Sequence, residues 1–303
     1  MKNYQRLKGL VAASFTPMYD NGDIHTNEIE KYAEHLIKAG VDGVFVNGTT
    51  GEGASLTTDE RKTILEHWIE AVKGRIKVIA HVGGFCLPQC AELACHAQEA
   101  GADAIASIAP SFFKPSSVRS LINFFKPIAA AAPEIPFYYY NMPTMTGVDL
   151  SVEQFLIDSK QAIPTLAGVK FTHNNLMEMG ACINLNNGEF EILHGYDEIL
   201  IAGLSMGAVA GVGSTYNYFA PIYRKIFDAM KINDVQTARA YQMQSIELVK
   251  VIIKYGGGVR GGKAIMNLLG INCGSCRLPI DSFSTEEYAA LKKDLDAINF
   301  FSK

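Results

Sequence analysis

The sequence predicts a closed α/β barrel of eight strand–helix units followed by a helical extension, on three observations. Eight short runs are apolar on successive residues, amphipathic stretches of helical period separate them, and one helix–glycine–strand junction recurs along the chain. Successive apolar residues mark strands covered on both faces, as in parallel sheets, whereas alternating ones would mark a half-exposed sheet. Eight such units point to a (β/α)8 TIM barrel, and the doubly wound open sheet is the competitor. An open sheet would carry Gly-x-Gly-x-x-Gly after its first strand, where this chain has Phe15-Thr16-Pro17. The barrel is therefore expected over residues 1–230 and the helical extension over 231–303.

The predicted strands begin with GLVAASF at Gly9, GVFVNG at Gly43, KVIAHVGG at Lys77 and AIASIAP at Ala104. PFYYYN at Pro136, LAGVKFT at Leu166, FEILHG at Phe190 and GAVAGVGS at Gly207 complete the eight. After the second run, Ile64, Leu65, Trp68, Ile69 and Val72 share one helical face, and Thr57 with Glu60 forms a capping box at its start. Ser151 and Gln154 repeat that device ahead of a later helix. KAGVDGV, EAGADAI and SMGAVAG each place glycine just past a helix, where a left-handed residue is wanted, and then enter a strand. Beyond about Asn217 at least three more helical stretches follow, among them Ala238 to Lys254. The glycine-rich GVGSTY and GGGVRGG are too loose for dinucleotide fingerprints and read as backbone-permissive turns.

Composition narrows the function. Hydrophobic residues make up 48% and charged ones 19% of 303 residues, an ordinary globular balance. A net charge of −4 supplies no basic footprint for nucleic acid or an anionic membrane, so the expected partners are small molecules. No apolar run approaches the roughly 20 residues that span a bilayer, and the N-terminal apolar stretch is too short for a signal peptide. Six cysteines lie scattered through apolar surroundings, and Cys273-x-x-Cys276 lacks the second pair a zinc site needs. They read as reduced residues of a cytoplasmic protein. Seven histidines without ligand spacing predict no metal, although His81, His173 and His194 lie near strand ends and could meet a substrate.

In an α/β barrel the chemistry sits at the carboxyl ends of the strands. Those ends carry Thr16, the turn Asn47 to Glu52, His81, Pro110, Tyr140-Asn141, Lys170 and Thr172, Gly195 with Asp197 and Glu198, and Gly213-Ser214-Thr215. Lys170 is the informative one, because a buried ammonium inside an apolar strand is costly. Desolvation lowers a lysine's pKa and frees the amine to attack a ketone, whereas the structural alternative is a snorkelling or ion-paired side chain. Tyr140 ends the preceding strand, within reach of Lys170, and could relay a proton, although a run of three tyrosines must also pack. Gly48-Thr49-Thr50-Gly51-Glu52 can form an anion nest suited to a carboxylate, since no P-loop lysine accompanies it.

With these residues in view, the chain resembles the family of lysine-dependent pyruvate aldolases that includes dihydrodipicolinate synthase and N-acetylneuraminate lyase. VNGTTGE, YNMPTMTG, GVKFTH, HGYDE and GSTYN carry the resemblance, which runs over nearly the whole length, and they look most like the lyase branch. The resemblance implies Lys170 as Schiff-base nucleophile and Tyr140 as proton shuttle. It implies that Thr49 and Thr50 hold the pyruvate carboxylate, and that Thr172, Gly195, Asp197, Glu198 and Ser214 bind the hydroxylated tail of an open-chain sialic acid. The implied reaction is reversible cleavage of that acid to pyruvate and N-acetylmannosamine, without metal or organic cofactor, in a homotetramer. The rivals are a 2-keto-3-deoxy sugar acid aldolase and a non-catalytic sugar-acid sensor. Two departures bear on the branch. Met145 stands where synthases carry an arginine for a second carboxylate, and Phe112 and Phe113 stand where many relatives have tyrosines.

Overall fold

The computed structural model describes residues 4–302. Among them, β1 (Gly9–Ala13), β2 (Gly43–Val46), β3 (Lys77–His81), β4 (Ala104–Ile108), β5 (Phe137–Asn141), β6 (Leu166–Phe171), β7 (Glu191–His194) and β8 (Ala210–Gly213) pair in parallel in chain order. The last strand returns to the first, which abolishes free sheet edges. Each apolar run read from the sequence contains one of these strands. The crossovers hold α1 (Ile29–Lys38), α2 (Thr58–Val72), α3 (Leu87–Ala100), α4 (Val118–Ala130), the single turn α5 (Pro143–Thr146), α6 (Val152–Ser159), α7 (Leu176–Asn184) and α8 (Leu200–Ser205). After β8 come α9 (Tyr216–Lys231), α10 (Val235–Lys254), α11 (Gly257–Leu268) and α12 (Thr285–Ala297). No helix among the described residues is long and apolar enough to cross a membrane.

The junctions follow from local chemistry. Gly40, Gly101 and Gly207 end their helices at φ of +79°, +95° and +104°, a region that costs a side chain dearly. Thr57 and Glu60 close both bonds of a capping box on α2. Ser151 caps α6 through the Gln154 amide, but the reciprocal bond is missing because the Gln154 side chain turns to Asp158. The GGGVRGG run departs from its reading as a turn. Its first two glycines take positive φ, and the rest wind into α11, where Gly262 lets the helix approach Phe15 to within 2.7 Å of where a Cβ would lie.

Two apolar layers result. Leu10, Ala12, Val44, Val46 and Tyr139 pack with the helices, whereas Val11, Phe45, Ile79, Tyr138, Tyr140, Leu193 and Val212 fill the barrel. At the barrel's lower end the Leu7 amide (2.7 Å) and the Tyr138 hydroxyl (3.1 Å) donate to the buried carboxylate of Glu191. Strand β6 breaks the simple alternation. Phe137 pairs with Leu166 but Tyr138 pairs with Gly168, so Ala167 is an extra residue and β6 carries a bulge. Past it the parity is reversed: Val169 and Phe171 face the helices, and Lys170 turns inward over the rings of Phe45 and Tyr140. Gly168 permits this. A Cβ there would lie 1.9 Å from the Glu191 carbonyl oxygen on β7.

The helices beyond the barrel grip its mouth. Lys263 on α11 donates to the Glu52 carboxylate at 2.8 Å with both side chains almost fully buried, and also to the Ser275 carbonyl at 2.7 Å. The Arg277 amide donates to the other oxygen of Glu52 at 2.7 Å. Arg277 also pairs with Glu60 at 2.7 Å, and this hydrogen bond holds the Glu60 carboxyl down to about 2.

Two outcomes follow. Gly168→Ala should force β6 and β7 apart and cost about 1–3 kcal/mol of stability, as overpacking does, measurable by urea denaturation. Lys263→Met strands the buried Glu52 charge and should cost about 3–5 kcal/mol, whereas adding Glu52→Gln should recover most of that loss in the same assay.

Candidate active site

Register brings the central pair together. Tyr140 on β5 lies directly opposite Lys170 on β6, and both side chains enter the barrel near its carboxyl end. Lys170 is 5% exposed, and its Nζ stands 3.7 Å from the centroid of the Tyr140 ring and 4.7 Å from that of Phe45. Among the described residues no carboxylate or carbonyl accepts a hydrogen bond from it. Aromatic faces attract a cation without offering it an anion, so this amine is surrounded but not neutralised. His81 completes the box, with ring centroids 5.9 Å from Tyr140 and 5.8 Å from Phe45. Burial, with Arg61 and Lys170 nearby, pushes the His81 imidazole well below its usual range. Its Nδ1 lies 3.1 Å from the Asn47 carbonyl, which fixes the proton there and leaves Nε2 a lone pair.

The turn after β2 supplies the second component. Asn47 enters it at φ of +61° and Glu52 leaves it at +56°, held by the Asn47 side chain to the Arg61 carbonyl and by the Glu52–Lys263 pair. Within this clamp the Glu52 amide donates to the Thr49 carbonyl and the Gly53 amide to the Gly48 carbonyl. The amides of Thr49 and Thr50 donate to no acceptor among the described residues. Free, convergent amides of this kind suit an anion. The Thr49 hydroxyl lies 3.3 Å from the Tyr140 hydroxyl, which donates to the thioether of Met142 at 2.9 Å.

On the opposite side stand Thr172, Gly195, Asp197, Glu198 and Ser214. Thr172 is buried with its hydroxyl unpaired, and it sits where a side chain at position 195 would fall, since a Cβ on Gly195 would meet it at 2.0 Å. Asp197 packs against Gly213 in the same way. Its Oδ2 accepts from the amide (2.8 Å) and the hydroxyl (2.6 Å) of Thr215, and its Oδ1 has no partner. Burial pushes its carboxyl up to about 6, against the pull of those two donors. Among the described residues, Ser214 Oγ and the Glu198 carboxylate have no hydrogen-bond partner.

All nine residues singled out from the sequence therefore lie at or beside one mouth. His194 does not join them: it is fully buried on the outer face of β7, against Gly203 of α8. The His173 ring lies tilted against that of Phe171, with 6.1 Å between centroids. Sequence reasoning passed over Phe45, whose ring reads as plain core, and placed Thr215 at the end of β8 without a role. Beside the mouth a cavity of about 500 Å³ is lined by Thr49, His81, Phe85 and Met145 but by neither Lys170 nor Asp197. Met145 is 63% exposed on α5, and the Lys114 ammonium lies over the neighbouring Gly147. Phe112 and Phe113 are 78% and 86% exposed and pack edge to face.

The chain is similar to known proteins over nearly its whole length. N-acetylneuraminate lyase of Mus musculus is 43% identical over 302 residues, covering 98% of this chain and 94% of its own. The solved structure of Proteus mirabilis N-acetylneuraminate lyase superposes with a TM-score of 0.94 at 38% identity, over 98% of this chain and all of that one. That of the sialic acid aldolase of Aliivibrio salmonicida does so with a TM-score of 0.94 at 40% identity, over 98% of each. The profile of the Dihydrodipicolinate synthetase family matches residues 6–298, and it is to this family that the chain belongs.

Proposed function

We infer that this chain is a carbon–carbon lyase that reversibly cleaves N-acetylneuraminate to pyruvate and N-acetylmannosamine through a Schiff base on Lys170. The observation that carries the reading is the placement of an amine without an anionic partner between two unlike receptors. On one side lie the free amides of Thr49 and Thr50. On the other lie Thr172, Glu198 and Ser214, beside the turn that carries Asp197. A 2-oxo acid with a hydroxylated tail presents a carboxylate to the first and hydroxyls to the second. Its ketone then falls beside the lysine.

The neutral amine of Lys170 adds to C2, and the hydroxyl of that adduct leaves as water with a proton given up by Tyr140, giving a protonated imine and a phenolate. The C3–C4 bond breaks as the C4 hydroxyl gives up its proton, and the bonding pair moves into the imine to form an enamine. The Tyr140 phenolate takes that proton and gives it to C3 of the enamine, which restores the protonated imine; water then hydrolyses it to pyruvate and the free amine, and the proton released returns to Tyr140. Its resting bond to a thioether is a weak one to give up, which suits a hydroxyl that must turn to substrate. Gly195 leaves room for Thr172, because any side chain there would displace it.

Met145 favours the lyase branch over a synthase, since a thioether cannot pair with a second carboxylate. We extend the reading to a homotetramer in the cytoplasm. Exposed Phe112 and Phe113 give a partner copy an apolar surface to cover, and six unpaired thiols suit a reducing compartment. Without their hydroxyls these phenylalanines take no part in proton transfer.

Borohydride reduction in the presence of pyruvate should add one pyruvyl unit at Lys170 and abolish activity, as read by peptide mass spectrometry. Modification elsewhere, or none, contradicts the mechanism. The unreduced protein should release pyruvate from N-acetylneuraminate and should not turn over aspartate semialdehyde, and the reverse preference would move it to the synthase branch. Tyr140→Phe keeps the ring over Lys170 and removes the proton carrier, so kcat should fall by about 10²–10⁴ with the circular dichroism spectrum unchanged. A loss below about tenfold would reduce Tyr140 to packing.

A further inference from the structure

Three residues brace the turn after β2 by bonding to one another's backbone. The Asn47 side chain donates to the Arg61 carbonyl at 2.8 Å, the Arg61 guanidinium to the His81 carbonyl at 2.6 Å, and the His81 Nδ1 proton to the Asn47 carbonyl at 3.1 Å. The ring of bonds closes on itself. It ties the carboxyl end of β2, the start of α2 and the carboxyl end of β3, and all three side chains are buried.

Asn47 keeps a left-handed φ of +61°, which an L-residue adopts rarely, and here both its carbonyl and its side chain are committed. Gly53 folds back onto the same carbonyl, where a Cβ would come within 2.0 Å of the oxygen. At the far end of the turn, the Thr16 hydroxyl beyond β1 donates to the Gly51 carbonyl at 2.7 Å. Between these two fixed points lie Thr49 and Thr50, whose amides donate to no acceptor among the described residues.

Arg61 is the member whose charge the fold does not use elsewhere. No carboxylate among the described residues pairs with it, and its Nε is buried without an acceptor. Burial pulls its guanidinium down to about 10, so it stays charged at neutral pH. The charge makes its bond to the His81 carbonyl the strongest of the three. Burial and that same charge keep the His81 imidazole neutral, and the Asn47 carbonyl then selects the tautomer protonated on Nδ1.

We propose that Asn47, Arg61 and His81 act as one positioning unit that holds the Thr49 and Thr50 amides in the arrangement that receives the carboxylate of a 2-oxo acid. The proposal rests on the aldolase reading and deepens it. Preference for a 2-oxo acid over a plain ketone becomes a property of three side chains, none of which needs to touch the carboxylate.

The test measures cyanoborohydride trapping at Lys170 with pyruvate and with acetone, a ketone without a carboxylate, alongside cleavage of N-acetylneuraminate. Arg61→Met removes the charged donor and keeps an apolar stem. It should raise both the half-saturating pyruvate concentration and KM for N-acetylneuraminate by about tenfold or more, with kcat within about threefold and acetone trapping within about twofold, the pattern of lost ground-state binding. His81→Leu should raise KM in the same way, whereas His81→Asn, whose amide nitrogen can take the place of Nδ1, should keep it within about threefold. Residues that act as a unit lose it once, so Arg61→Met combined with His81→Leu should exceed the larger single loss by no more than about threefold. Asn47→Gly accepts the left-handed φ without strain, should likewise raise KM, and carries the test should Arg61→Met not fold. Losses that multiply in the double variant, acetone trapping that falls along with pyruvate trapping, or failure of asparagine to rescue would overturn the assignment. If the unaltered protein traps no pyruvate at Lys170, it is the aldolase reading that fails, and the proposal falls with it.

Discussion

The orientation of β6 depends on crowding between two backbones. Parallel neighbours leave Gly168 no room for a side chain, and the chain accommodates one residue more on β6 than on β5 at that point. Alternation alone would have sent Ala167, Val169 and Phe171 inward and aimed Lys170 at the helices. The bulge reverses the sense past Gly168. An apolar valine and phenylalanine then join the outer core, and the one cationic residue of the strand enters an interior lined by Phe45 and Tyr140. Tyr140 opposite, the turn bearing Thr49 and Thr50, and the Asp197 turn beyond β7 matter chemically because the amine points among them.

Strand and helix positions were legible because both rest on local chemistry. Apolar runs, helix-terminal glycines at Gly40, Gly101 and Gly207, and the Thr57 cap each read from a few consecutive residues. The site was legible wherever a residue was out of place for its element, as with a lysine in LAGVKFT or paired glycines around Thr49 and Thr50. What stayed hidden depends on pairing. Ala167 and Gly168 look like any small residues until β5 and β7 are laid beside them. Lys263 reads as a solvated helix position until Glu52 faces it, and Gln242 as the polar side of α10 until Asp197 does. GGGVRGG misled for the opposite reason. Its glycines serve close packing on Phe15 and Ile252 more than turning.

The extension is thus not an appendage to the chemistry. Through Lys263 it holds the turn that offers free amides, and through Gln242 on α10 it holds the turn that carries Asp197. The first contact is a buried ion pair, which is costly to leave half-made and therefore fixes one arrangement strongly. The second is a set of neutral bonds around a single amide group, which orients without adding charge near Lys170.

The aromatic box around Lys170 has a further consequence for how hard the protein must work during turnover. A protonated imine on Lys170 places a unit positive charge over the rings of Phe45 and Tyr140. Their fixed quadrupoles are already aimed at that charge, so no dipole has to swing round when the covalent bond forms. A carboxylate partner would have had to be pulled off the lysine first and its own solvation rebuilt. In this barrel the reorganisation is confined to the substrate and a few hydroxyl rotors, and the host is already arranged for the intermediate before any ligand arrives.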